Sequence, residues 1–95
     1  MVKAVFRFEV EPERQRDFLK VTEDKIKPYW ESHGCLSYQV WQVEGSTTFI
    51  KEMSFADVAS KEQTMNRKDE ESDSIRALWR GFIKGFSIET HVRVT

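Results

Sequence analysis

The chain has little of what several protein classes require. Its 95 residues include one cysteine, four glycines and two prolines. The lone Cys35 cannot close an internal disulfide, so a reducing, cytoplasmic setting is expected and the fold must rest on its core. Beside Gly34, that thiol suits a small buried hydrophobe better than a nucleophile. No glycine-rich phosphate loop, Ser-His-Asp pattern, acidic ligand cluster, internal repeat or low-complexity segment is present. An excess of either charge is missing too: 15 Lys and Arg against 16 Asp and Glu leave a net charge of −1. That balance argues against a nucleic-acid binder working through a basic face. Lys3, Arg7 and Glu9 interrupt the apolar run a signal peptide would need at Met1–Val10. The longest uncharged stretch, Gly34 to Val43, is about half a membrane helix, so no membrane partner is expected.

What the chain does have is aromatic residues, 7 Phe, 3 Trp and 2 Tyr, within a length that allows one domain over 1–95. Val2, Ala4, Phe6, Phe8 and Val10 alternate with Lys3, Arg7 and Glu9, the period of a strand with one buried face. Pro12 and its flanking acids open a helix, and Phe18, Leu19, Thr22, Ile26, Tyr29, Trp30 and His33 trace one helical face. Pro28 should kink or restart that helix near Lys27, and Gly34 should stop it. Leu36–Val43 and Thr47–Phe55 read as strands joined through Glu44-Gly45-Ser46. On the first of these, Leu36, Tyr38 and Val40 are expected on one side and Cys35, Trp41 and Val43 on the other. Asp57 suits the N-cap of a second helix, and the charge run Arg67–Ser74 suits a solvated loop or helix face. Ile75, Leu78, Trp79, Phe82 and Ile83 give the cleanest helical stripe, with Gly85 as its expected end. Phe86, Ile88, Val92 and Val94 then alternate as a last strand.

The order is β-α-β-β-α-β, an α+β, ferredoxin-like plan. Right-handed crossovers place both helices on one face of a four-stranded antiparallel sheet. The other face would carry Val5, Arg7, Glu9, Glu89, His91 and Arg93. The second strand is apolar on both sides and the chain has nothing left to cover it, so a second copy is the expected cover.

The stretch Gly34 to Trp41 (GCLSYQVW), followed by a hairpin and Thr48–Asp57 (TFIKEMSFAD), resembles the antibiotic biosynthesis monooxygenase family. The resemblance implies a dimeric α/β barrel in which two ferredoxin-like protomers pack sheet against sheet, each with a small-molecule cavity between sheet and helices. It further implies a cofactor-independent oxygenase acting on a phenol or quinol, or a non-enzymatic dimer binding a small molecule or protein. Two departures favour the latter. Many members carry a glutamate where this chain has Met53, two residues before the aromatic ending the third strand. Many also carry a histidine early in the second helix, and Gln63 to Met65 contain none. A first strand without asparagine and the lack of an axial histidine near Thr64 argue against the haem-degrading branch.

The candidate catalytic residues are Tyr38, His91 and His33, the phenol as a polar handle and the two imidazoles as base and orienter. Each histidine also has a structural reading: His33 at a helix C-terminus, His91 paired with Glu89 or Glu9. His33 and Cys35 without a third ligand make no metal site, and no cofactor is expected. Phe6, Phe8, Trp30, Tyr38 and Trp79 are the candidate ligand-binding residues, with core packing favoured for Trp79. Val5, Arg7, Glu9, His91 and Arg93 are the expected dimer interface. RNA-recognition domains share the element order, but Phe6 and Phe8 belong to the helix-facing side of their strand and the basic aromatic motif is missing, so no nucleic-acid partner is expected.

Overall fold

The computed structural model describes residues 1–95. The alternation at the start of the chain forms strand β1 (Val2–Glu9). Its even residues are buried against the helices, and Val10 continues that face. Pro12, whose missing N–H costs nothing in a first turn, opens helix α1 (Pro12–Val21). The expected break at Pro28 takes the form of a π-helical turn over Thr22–Ile26, followed by the short helix α2 (Lys27–Glu31). The Lys27 N–H reaches back to the Thr22 carbonyl, one residue further than in an α-helix. Pro28 has no N–H to continue the ladder, and widening one turn makes room for its ring. Phe18, Thr22, Ile26, Tyr29 and Trp30 are buried as expected, while Leu19 lies outside the stripe and is exposed.

Gly34 ends this arm with φ +105°, and a Cβ there would come within 2.5 Å of Thr64 Oγ1. That hydroxyl donates to the His33 carbonyl at 3.1 Å. Strand β2 (Ser37–Gln42) starts only after this turn. The expected faces of Cys35 and Leu36 are therefore reversed: Cys35 is 2% exposed and Leu36 60%. Strict alternation does not run through a residue with positive φ. Strand β3 (Thr48–Phe55) leads to helix α3 (Val58–Met65), whose N-cap Asp57 accepts the Ser60 N–H at 2.7 Å. The charge run supplies a second cap, Asp69, which accepts the Ser72 N–H at 2.8 Å and starts helix α4 (Glu70–Arg80). Helix α4 stops at Gly81 and not at Gly85, which has φ +54° and lies inside strand β4 (Lys84–Val92).

The four strands form one antiparallel sheet in the order β2-β3-β1-β4. The fold is ferredoxin-like α+β, with three regular helices and the short α2. Between sheet and helices lies an aromatic layer. Phe8 meets Phe18 at 5.8 Å and Trp79 at 5.3 Å, and Phe18 meets Phe49 at 5.6 Å, all edge to face. Such pairs add to the area they bury, about 0.5–1.5 kcal/mol each. Phe86, Ile88, Val92 and Val94 stay exposed although the first three share the helix-side register of β1, because β4 is an edge strand. No helix is long and apolar enough to cross a membrane.

Candidate functional site

Strand β3 alternates Phe49, Lys51, Met53 and Phe55 toward the helices with Ile50 and Glu52 toward the open face. Lys51 thereby enters the apolar layer, opposite Phe6 on β1. It is 4% exposed, and its ammonium group lies 3.6 Å from the Trp79 ring centroid and 4.1 Å from that of Phe6. The Tyr38 ring is 5.6 Å away. No carboxylate or carbonyl contributes a hydrogen bond to it. Ring faces favour the cation. Burial favours the neutral amine and, with the Arg80 charge adding to it against an opposing influence of Cys35, pushes the Lys51 pKa down to about 7. An amine near that value both accepts and returns a proton at neutral pH.

Lys51 lines a cavity of about 200 Å3 between the sheet and α4. Phe6, Met53 and Ile88 come from the strands, and Trp30, Met65 and Trp79 from the helices. Arg76, Arg80 and Phe86 complete the lining. The Trp79 Nε1–H is buried without an acceptor. The larger recess, about 480 Å3, is a surface groove between the π turn and β2. It is lined in part by Leu19, Thr22, Tyr38 and Trp41 and has no group comparable to Lys51.

The structure brings together only part of the expected site. Phe6, Trp30 and Trp79 line the cavity. Phe8 does not; it is core, packed on Phe18, Phe49 and Trp79. Tyr38 lines the outer groove, and burial pushes its phenol well above the ordinary range, which keeps it protonated. The two histidines are not a base and orienter. His33 Nδ1 lies 2.7 Å from the Tyr29 carbonyl, its ring stacks on Tyr29 at 4.1 Å, and Nε2 is 3.9 Å from Glu71. His91 belongs to the open face, with Nε2 3.2 Å from Glu89.

On that open face Arg7 and Arg93 are exposed, whereas Val5 is 8% exposed within the single chain. Glu9 accepts the hydroxyls of Thr47 and Thr48 at 2.7 and 2.6 Å, which hold its carboxyl below the ordinary range. Among His, Cys, Asp and Glu no cluster is suited to a metal.

Sequence reasoning missed Lys51, Met53, Met65, Arg76, Arg80, Phe86 and Ile88 as cavity residues. A signal for Lys51 was present: a charge in the register of Phe49, Met53 and Phe55 contradicts the apolar face around it. The position where family members carry a glutamate, Met53, lines the cavity too. The titratable group of this chain sits two residues earlier on the same strand face.

The family model for antibiotic biosynthesis monooxygenase matches residues 1–68. Among solved structures, the chain is similar to an antibiotic biosynthesis monooxygenase with TM-score 0.76 and 14% identity, each chain covered in full (100%). It is similar to SnoaB of Streptomyces nogalater, a cofactor-independent oxygenase, with TM-score 0.83 and 10% identity over 99% of this chain and 93% of that one. A conserved protein of Methanosarcina mazei shares 20% identity at TM-score 0.73, covering 95% of this chain and 89% of that one. At these identities the structures establish the fold alone. No curated protein is significantly similar in sequence. With the match spanning more than half its length, the chain belongs to the antibiotic biosynthesis monooxygenase family.

Proposed function

We propose that the chain binds a small phenol or quinol in the Lys51 cavity and oxidises it as a cofactor-independent oxygenase. One observation carries this: a buried, unpaired amine poised near neutrality faces an aromatic cavity of ligand size. In the reaction, Lys51 takes the hydroxyl proton. The phenolate then passes an electron to dioxygen, and the two radicals join through a new C–O bond at a ring carbon. The Lys51 ammonium returns its proton to the peroxide. Loss of that carbon's hydrogen with O–O cleavage releases water and leaves a quinone carbonyl. The apolar walls exclude water from the anion.

The test is oxygen uptake across naphthols and hydroquinones. Uptake that rises with pH through about 7 and is abolished in Lys51→Met supports the proposal. Uptake unchanged in Lys51→Met overturns Lys51 as base. A second reading, binding without turnover, is favoured by Met53 and by the missing histidine near Thr64. Saturable binding with no uptake by any compound decides for it.

We further assign the open sheet face to self-association, with Arg7, Glu9, His91 and Arg93 facing a second copy and Trp41 as the apolar anchor, 55% exposed in the single chain. Val5 has little surface left to offer. The unpaired Cys35 supports a cytoplasmic setting. Light scattering at several concentrations checks the assembly: a dimer supports the assignment and a monomer sinks it.

A further inference from the structure

No acidic side chain stands in the cavity wall. Lys51, Arg76, Arg80 and the Trp79 indole line it, and no carboxylate, amide or hydroxyl side chain does. Arg76 is already engaged: its guanidinium donates to Asp73 Oδ1 at 3.1 Å and to the Met65 carbonyl at 3.0 Å. Arg80 is different. It is exposed, and its guanidinium carbon lies 5.4 Å from the Phe86 ring centroid. Its guanidinium has no ion-pair or hydrogen-bond partner of its own, leaving a planar fork suited to a carboxylate. A neutral arene would leave that fork to solvent.

Depth sorts the two polar ends of a ligand. Arg80 stands where water reaches it, while Lys51 and Trp79 are buried. A carboxylate at the rim keeps part of its hydration, and a hydroxyl, which is cheaper to desolvate, goes inside. Size narrows the class again. A cavity of about 200 Å3 is smaller than the ~300 Å3 at which sites for drug-sized molecules begin, which leaves room for one or two fused rings.

Resting on the phenol-binding role of the cavity, we propose that its ligand is a one- or two-ring hydroxylated aromatic acid, its carboxylate held by Arg80 at the rim and its hydroxyl by Lys51 inside.

Calorimetric titration of the intact chain with 6-hydroxy-2-naphthoate, 2-naphthol and 2-naphthoate tests this. The hydroxy acid is expected to bind about tenfold tighter than 2-naphthol, as a charge-assisted pair gives. It should also bind more tightly than 2-naphthoate, and added salt should weaken the acids more than the naphthol. In Arg80→Gln the ratio of acid to naphthol affinity should fall to about one, through loss of acid binding. Equal affinity for hydroxy acid and naphthol in the unmodified chain overturns the carboxylate assignment and leaves the phenol reading standing. A preference for the acid that survives Arg80→Gln overturns the role of Arg80. If none of the three binds, the phenol reading itself fails and the proposal falls with it.

Discussion

Lys51 reaches into the aromatic layer, 3.6 Å from the Trp79 ring, while Glu52, next in the chain, lies on the other face of the same strand. There it accepts the Trp41 Nε1–H at 3.1 Å and stands 3.8 Å from Lys3. The two faces treat charge differently. On the open face ionic groups pair within reach of water, where each pair contributes at most about 1 kcal/mol. On the helix side a single amine sits among rings with no counter-charge, at a cost in folding stability. Perturbed titratable groups cluster at functional sites, because burial is what brings their pKa to a useful value.

Three changes would break or sharpen that contrast. The largest effect belongs to the aromatic layer itself. Phe18→Ala removes a ring that meets Phe8, Phe49 and Phe82, and urea denaturation should show a loss of about 3–5 kcal/mol. A loss near 1 kcal/mol would mean that the covered face is not where stability resides.

Lys51 comes next, with a sign that depends on pH. The folded chain holds it near 7, and the unfolded chain titrates near 10.4. Between those values the unfolded state binds the extra proton, so stability should rise as pH increases from about 7 to about 10. Below about 7 both states are protonated and the full cost of the buried cation is present. Lys51→Met should flatten this dependence and stabilise the fold at pH 7 by about 4 kcal/mol. Urea melts of both proteins at neutral and alkaline pH check it, and parallel curves would show that burial does not depress Lys51.

The smallest effect on folding is expected on the open face. Trp41→Ala should leave the stability of the protomer within about 0.5 kcal/mol. It should weaken self-association by about tenfold or more, as an interface anchor does, measured by sedimentation across concentrations. A large folding loss with unchanged association would invert the assignment of the two faces.

Much of the architecture was legible because it rests on local rules. The even-numbered apolar residues of β1 announce a covered face, Pro28 announces a break, and Asp57 is a cap whether or not its neighbours are known. Errors arose where local rules meet the rest of the chain. Gly34 reads as a stop, but the inversion of Cys35 and Leu36 depends on how the loop turns to meet Thr64. Either Gly81 or Gly85 could end the last helix by composition. The strand pairing takes the second, since Lys84 pairs with Glu9 across an irregularity in register at the end of β1. Phe86 has the pattern of a core residue but only one side to bury, against Trp79 at 5.4 Å.

The candidate site was legible as aromatics and illegible as chemistry. Phe6, Trp30 and Trp79 follow from their stripes. Tyr38, His33 and His91 were chosen for what their side chains can do, and the fold spends them on a groove, a helix end and the open face.

The sequence alone determined the β-α-β-β-α-β plan, the face that β1 buries and the family resemblance, because periodicity, caps and turns act over a few residues. Only the tertiary structure decided that Lys51 sits among Trp79, Phe6 and Tyr38, that His33 and His91 never meet, and that Arg80 is left without a partner. Burial and proximity are properties of residues far apart in the chain, and the solvation that sets a pKa exists only once they are assembled.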